Sequence, residues 1–440
     1  MVRGIISGSS GIETHCRSGS FGTIPKAIQS KMRDYQDRAE AMPDVYIRYR
    51  YPELLDESRA ALGRLLSTNP DTLVLVPNAS TGVNTILRNI EWNSDAKDEI
   101  LWFSTIYGGC GNTIDYVVDS QRGLVSSREI ILQYPIEDDE IVSRFKEAVK
   151  ASTEASKRPR ICVFDVVSSL PGVRFPFERM AEACRELGVL SLIDGAQGIG
   201  MIPIDLSIVD PDFFVSNCHK WLMTPRGCAV LYVPVRNQHM MLSTLPTSHG
   251  YIAKVPRLNP LPPNKKPQFV RNFEFVGTVD NSPYVCVTDS IKWRDEVLGG
   301  EARITDYLQA LVKEGGRKAA KILGTRVLDN ETGTLTNCGM VNVALPMIMV
   351  PDEEIGQQHL NSADVVVRRS QAYAITQWIL ETLMEDFKTF IALFAIDGRW
   401  WARLSAQVYL EVDDFEWAAR TLKTMCERVR TRVGEQSASE

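Results

Sequence analysis

The sequence predicts an α/β protein with a mostly parallel β-sheet covered by helices on both faces, followed by a smaller α+β domain. Up to about Gly250, short apolar runs alternate with helical patterns, which is typical of parallel sheets. A proline-rich stretch over residues 256–267 then predicts an irregular loop. Beyond it, long helical patterns dominate. The 440 residues suit one large domain and a smaller one.

The predicted strands of the first part are short apolar runs that end at polar or turn-forming residues. They are Leu73–Val76, Ile100–Phe103, Ile130–Leu132, Ile161–Phe164, Leu190–Ile193, Phe213–Val215 and Ala229–Val233. Apolar residues at helical spacing predict helices over residues 53–67, 83–90 and 177–187. Gly188 is suited to end the last of these helices.

In the second part, helical patterns cover residues 282–297, 301–322, 370–386 and 413–432. Strand-like runs occur at Met340–Leu345 and Trp400–Tyr409. We therefore predict an N-terminal arm over residues 1–40, a large domain over 41–285 and a small α+β domain over 286–440.

Composition excludes several classes of protein. Hydrophobic residues make up 44% of the chain and charged residues 24%, as in ordinary soluble proteins. The net charge of −6 disfavours nucleic-acid binding. We expect no membrane span and no signal peptide, because apolar stretches are short and residues 1–10 lack an apolar core. Nine single cysteines predict reduced thiols and a cytoplasmic protein, and the five histidines lack metal-ligand spacing.

Two polar residues follow buried strands and suggest a cofactor site. Asp194 ends the run Leu190–Ile193, and Lys220 follows Phe213–Val215 after a short polar string. A lysine at the end of a buried strand is costly unless it is neutral or covalently engaged. Either residue alone is more simply explained as a solvated strand end. Together they predict a pyridoxal phosphate (PLP) site, with Lys220 as Schiff base and Asp194 as partner of the ring nitrogen.

Further residues could complete such a site. Ser80 and Thr81 lie between a strand and a helix, where N–H groups and hydroxyls can hold a phosphate, although a plain N-cap would look the same. Tyr107 could stack on the ring, or be an ordinary surface tyrosine. Gln197, or Ser168 and Ser169, could contact the ring's phenolate oxygen. Arg403, among aromatic residues, could bind a substrate carboxylate or be an exposed strand residue.

Four strings together resemble the class V aminotransferase family. They are Asp194-Gly195-Ala196-Gln197, Asn217-Cys218-His219-Lys220-Trp221, Gly277-Thr278-Val279-Asp280 and Arg403-Leu404-Ser405. The sequence is most similar to the isopenicillin N epimerase-like branch, which includes fungal hercynylcysteine sulfoxide lyases and the loline-biosynthesis PLP enzyme. The resemblance runs from about Gly19 to about Val433. It implies PLP fold type I, with a mixed, mostly parallel seven-stranded sheet.

The resemblance also implies roles for individual residues. Lys220 would hold the cofactor and shuttle the proton, and Asp194 would pair with the ring nitrogen. The other cofactor contacts would come from Gln197, Tyr107, Ser80, Thr81, Ser169, Asn217 and His219. Thr278 would reach the phosphate of a neighbouring subunit, so a homodimer is implied. Arg403 would bind the carboxylate of an amino-acid substrate, with Arg48 (loop Met42–Pro52) and His249 (the partner subunit's Thr247–Tyr251 loop) as specificity candidates.

Several reactions stay open, because PLP permits them all and the pocket selects. No cysteine lies in Glu381–Trp401, which disfavours the persulfide mechanism of cysteine desulfurases. We predict a lyase that acts on a modified amino acid in fungal specialised or thiol metabolism. The alternatives are a Mannich-type cyclisation in alkaloid biosynthesis, epimerisation or transamination. An inactive PLP-binding paralogue is the non-enzyme alternative, since Cys16-Arg17-Ser18 stands before Gly19-Ser20-Phe21-Gly22 where the branch usually has Leu-Asn-His.

Overall fold

The computed structural model describes residues 20–255, 257–259, 261–354 and 364–439, with side chains described up to residue 434. Residues 16–19 of the entrance string and two prolines of the predicted loop, at 256 and 260, lie outside these ranges. The chain forms two compact units. The larger unit contains residues 21–169 and 175–304, and the smaller unit contains residues 1–20, 170–174 and 305–440. The predicted domain boundaries stay predictions.

A seven-stranded sheet forms the centre of the larger unit. Its strands are β1 (Leu73–Val76), β2 (Asp98–Phe103), β3 (Val125–Ile130), β4 (Arg158–Asp165), β5 (Leu190–Asp194), β6 (Phe213–Asn217) and β7 (Ala229–Tyr232). The strand order is β1-β7-β6-β5-β4-β2-β3. Strands β3, β2, β4, β5 and β6 run parallel, whereas β7 runs antiparallel to both of its neighbours. The predicted mixed, mostly parallel sheet is therefore confirmed.

The inner strands are apolar on both faces because helices cover the sheet. Every residue of the inner strands β6 and β7 is buried, and so is every residue of the edge strand β1. The helices of this unit are α1 (Lys26–Ala41), α2 (Pro43–Val45), α3 (Tyr51–Leu65), α4 (Ala79–Asn89), α5 (Gly108–Ser120), α6 (Asp138–Glu154), α7 (Phe177–Leu187), α8 (Leu206–Val209), α9 (Gln268–Glu274) and α10 (Ser282–Leu298). A π-helical turn, Tyr46–Arg50, joins α2 to α3.

The smaller unit has α+β architecture, as predicted. Its sheet contains β8 (Met340–Val350), β9 (Val365–Arg368), β10 (Ala392–Ile396) and β11 (Arg399–Ser405), in the order β10-β11-β8-β9. Helices α12 (Ala372–Phe387) and α13 (Val412–Ser439) belong to this unit, and α11 (Glu301–Leu323) begins in the larger unit and continues into it. In the described part of the chain, no helix is long and apolar enough to span a membrane.

One predicted strand is displaced. We expected Ile130–Leu132, but β3 covers Val125–Ile130 and stops where the prediction began. This strand lies at the edge of the sheet and pairs only with β2, so its inner residues (Ser126–Glu129) can be polar. Helix α7 does end at Gly188 in the left-handed region, with φ of 67°.

Candidate functional site

The carboxyl edge of the parallel strands brings Asp194 and Lys220 together. Asp194 is the last residue of β5, and Lys220 lies in the turn that follows the neighbouring strand β6. These two strands pair in parallel, with Asp194 opposite Val215. The Asp194 side chain is buried and that of Lys220 is half-buried. Ligands of open α/β sheets bind at this edge.

A second buried carboxyl group, Asp165, lies beside Asp194. Asp165 ends β4 and is the register partner of Asp194 on β5. Burial, followed by the charge of Asp194, raises the pKa of Asp165 well above its ordinary value, and Lys220 opposes this shift. Both candidate residues therefore lie within electrostatic range of one carboxyl group. We missed Asp165 in the sequence, although it ends an apolar run as Asp194 does.

Two donors hold the Asp194 carboxylate. The Cys110 thiol donates to Oδ2 at 3.2 Å, and the Ala196 backbone N–H donates to Oδ1 at 2.9 Å. Cys110 is buried in the first turn of α5, and burial followed by the charge of Asp194 raises the pKa of its thiol. The thiol therefore stays protonated and acts as a donor. No pattern in the sequence pointed to Cys110.

Gln197 is oriented by the residue that follows Lys220. The indole Nε1 of Trp221 donates to Oε1 of Gln197 at 2.7 Å, and both side chains are buried. An amide whose oxygen accepts from an indole must direct its NH₂ group elsewhere. That NH₂ group has no partner among the described residues, so it remains available to a ligand with an acceptor oxygen. This fits the predicted contact with a phenolate oxygen.

The N-terminus of α4 and the end of β6 form a polar corner. The Asn217 side chain accepts from the Ala79 N–H at 2.9 Å through Oδ1, which leaves its NH₂ group available. Asn78 caps the helix, since its Oδ1 accepts from the N–H of Thr81 at 2.8 Å and from its hydroxyl at 3.1 Å. The N–H and hydroxyl of Ser80 donate to no other described residue. Free donors at a helix N-terminus suit a phosphate.

His219 precedes Lys220 and bonds the other end of the same loop. Its Nδ1 lies 2.8 Å from the Cys228 carbonyl oxygen, which can only accept, so Nδ1 carries the hydrogen. Burial lowers the pKa of His219. The neutral ring therefore presents the lone pair of Nε2, and donation to a phosphate from this atom requires protonation.

Three further predicted residues also belong to the larger unit. Tyr107 directly precedes α5 and is exposed, and a β-carbon on Gly109 would lie 2.9 Å from its ring. Ser169 is half-buried and follows β4 by four positions. Thr278 is exposed in the bend between α9 and α10. Their contacts with a cofactor stay predictions.

The three residues predicted to bind substrate are spread over both units. Arg403 lies on β11 of the smaller unit, where it is buried and its Nη2 donates to Ser20 Oγ at 2.7 Å. The exposed-strand alternative for Arg403 is therefore wrong. Arg48 lies in the π-helical turn and bonds Asp44 at 3.2 Å, so the expected Met42–Pro52 loop is helical. His249 is exposed and stacks on Phe275, with ring centroids 6.2 Å apart.

The sequence matches the family described as aminotransferase class-V over residues 23–345. It is 34% identical to the L-cysteine desulfhydrase-like protein lolT2 of Epichloe uncinata, covering 97% of this chain and 94% of the relative. It is 29% identical to the hercynylcysteine sulfoxide lyase of Schizosaccharomyces pombe, covering 93% of each chain. A solved complex of the cystine C–S lyase C-DES with cysteine persulfide has a TM-score of 0.70 at 17% identity, covering 92% of this chain and 96% of that one.

The chain belongs to the class V aminotransferase family. Membership confirms the predicted PLP-dependent enzyme, and the solved structure confirms the predicted fold. The donor set fits this cofactor: one buried carboxylate for the ring nitrogen, an amide NH₂ for its oxygen, free donors at a helix N-terminus for the phosphate, and a lysine within electrostatic range of the neighbouring Asp165 carboxyl group.

Proposed function

We propose that the protein is a PLP-dependent lyase that cleaves the carbon–sulfur bond in the side chain of an L-amino acid. The observation that carries this proposal is the placement of Asp194 and Lys220 at the carboxyl edge of the sheet, around the same buried carboxyl group. The reaction class is supported by the relatives, which are described as L-cysteine desulfhydrase-like and as a sulfoxide lyase. Fungal specialised or thiol metabolism is the setting we propose.

When bound, PLP supplies an electron-accepting ring conjugated to the substrate's α-carbon. Lys220 would hold the cofactor, and its free amine would take the α-proton of the bound substrate. Asp194, held in place by Cys110 and Ala196, would pair with the ring nitrogen. The net reaction would remove the α-proton and release the sulfur with the electron pair of the carbon–sulfur bond, and water would convert the remaining fragment to pyruvate and ammonia.

The other contacts in this proposal follow the donors described above. Gln197 contacts the ring oxygen, Tyr107 stacks on the ring, and Ser169 contacts the ring oxygen from the end of β4. Ser80 and Asn217 hold the phosphate with their free donors, and Thr81 lies beside them. His219 also holds the phosphate, by donating from Nε2 when its ring is protonated. Arg403 binds the substrate carboxylate, and Arg48 and His249 contact its side chain.

The assembly we propose is a homodimer in which Thr278 reaches the phosphate of the neighbouring subunit. A heterodimer of Lys220→Ala and Thr278→Val subunits tests this arrangement, because it would contain one site free of both changes. We also propose a cytoplasmic location, in keeping with eight buried free thiols among the described residues.

The decisive experiment offers sulfur-containing amino acids, their disulfides and their sulfoxides to the purified holoenzyme, with mass detection of all products. We expect pyruvate, ammonia and a released sulfur compound. Lys220→Ala should abolish both product formation and the borohydride-reducible bond to the cofactor. Recovery of an epimerised, transaminated or cyclised amino acid with its carbon–sulfur bond intact would instead support the alternative reactions.

A further inference from the structure

Asp165 is a buried carboxyl group with no assigned role. It is 6% exposed, and Asp194 beside it is 2% exposed. The two are register partners on adjacent parallel strands, so their side chains lie on the same face of the sheet. The Asp194 carboxylate accepts two hydrogen bonds, from Cys110 and Ala196. The Asp165 side chain makes no hydrogen bond to any described residue, whereas two donors stabilise the negative charge of the Asp194 carboxylate.

Asp98 shows what a buried, charged aspartate needs in the same sheet. It is 0% exposed at the start of β2, yet Arg158 Nη1 donates to it at 2.9 Å and the Asn93 N–H donates at 2.8 Å. Within the described ranges, the Asp165 side chain contacts no such cation or donor. An isolated buried carboxylate is costly, and such a group retains its proton instead.

We propose that Asp165 and Asp194 form a carboxyl pair that carries a single negative charge, with the proton held on Asp165 and the charge on Asp194. This inference rests on the proposed function in one respect, namely that a ring cation is the group the charge serves. Asp165 is then a positioning residue, which concentrates the charge on the carboxylate that Cys110 and Ala196 hold in place. One negative charge matches one pyridinium cation.

The charged and titratable groups that act on Asp165 are consistent with this division. Burial and the neighbouring Asp194 both favour the protonated acid, and Lys220 alone opposes them. Cys110 and Tyr134 also lie within electrostatic range, and burial raises the pKa of each, so both stay neutral.

Infrared difference spectroscopy on the apoenzyme at neutral pH tests the proposal, because a protonated carboxyl group and a carboxylate absorb in separate regions. Wild type minus Asp165→Asn should show the loss of a protonated carboxyl stretch. Asp98→Asn is the matched control, because Asp98 is a buried acid with a cationic partner, and wild type minus this variant should show the loss of carboxylate stretches.

Loss of carboxylate stretches in Asp165→Asn, with the protonated carboxyl stretch retained, would overturn the assignment. If Asp165→Asn does not fold, the wild-type spectrum decides, since absence of any protonated carboxyl stretch at neutral pH overturns the proposal by itself. The measurement needs no cofactor, so failure of the PLP proposal would leave its result unaffected. In the holoenzyme, Asp165→Asn should retain the cofactor's absorbance at neutral pH, because a neutral amide replaces a neutral acid.

Discussion

The backbone of Gly22 packs against the carbonyl group of His219, directly before Lys220. Gly22 has φ of 69°, and the Arg226 guanidinium donates to its carbonyl at 3.3 Å. A β-carbon at Gly22 would overlap the His219 carbonyl oxygen and lie 2.9 Å from Cα of Lys220. The Gly22 position of the Gly-Ser-Phe-Gly string therefore needs a residue without a side chain, because its neighbour is the lysine loop.

Gly22→Ala should displace the lysine loop and weaken cofactor binding. Gly123→Ala is the matched control, since Gly123 has φ of 89° but open space around it. The control should lose about 1–2 kcal/mol from left-handed backbone strain alone. Gly22→Ala should lose a further 1–3 kcal/mol or so from the steric overlap. Urea unfolding and PLP titration measure both, and equal losses in the two variants would contradict the packing argument.

Arg294 ties together the segments that follow Asp194 and Lys220. This buried side chain donates to the carbonyl of Trp221 at 2.7 Å and to that of Gly200 at 2.9 Å, and pairs with Glu301. Arg294→Leu leaves these acceptors without a donor, so we expect a loss of about 3 kcal/mol. Lys292→Ala, which removes an exposed pair on the same helix, should change stability by less than about 0.5 kcal/mol. Chemical denaturation compares the free energies of unfolding of the two variants. Similar small losses in both would show that Arg294 does not hold these segments together.

Trp221→Phe tests whether the indole fixes the Gln197 amide. Loss of the 2.7 Å hydrogen bond should destabilise the protein by about 1–2 kcal/mol and allow the amide to rotate. Cofactor affinity should fall as well, because the NH₂ group is no longer directed. A double-mutant cycle with Gln197→Leu isolates the pair. A coupling energy near zero would show that the amide orientation does not depend on Trp221.

His219 should make the apoprotein less stable as the pH falls. Burial lowers the pKa of His219 in the folded state, so the unfolded chain takes up a proton first. The free energy of unfolding should therefore decrease as the pH drops below about 6.5, the ordinary histidine value. His219→Asn should flatten this part of the profile. The prediction would be contradicted if the free energy of unfolding of the variant fell as steeply as that of wild type between about pH 5 and about pH 7.

Site residues could be predicted from the sequence where an apolar run ends at a polar residue. They could not be predicted where a contact depends on the order of the strands in the sheet. Asp194 and Lys220 each follow such a run, and the structure places both at one edge of the sheet. Asp165 shows the same local pattern. Its position beside Asp194, however, depends on the pairing of β4 with β5, which no local pattern reveals. Cys110 approaches Asp194 from a helix distant in the chain. The position of β3 was predicted wrongly because β3 lies at the edge of the sheet, where a strand can be polar and carries no apolar run to mark it.

Strand β1 has a consequence for how the chain folds. It lies at the sheet edge and pairs within the sheet only with β7, where Leu73–Val76 face Tyr232 back to Ala229. During synthesis, Leu73–Val76 cannot pair with β7 until the ribosome has released residues 229–232. Pairing between segments so far apart slows folding and exposes apolar strands meanwhile. The apolar residues Leu73–Val76 therefore have no strand partner in this sheet until β7 has been synthesised.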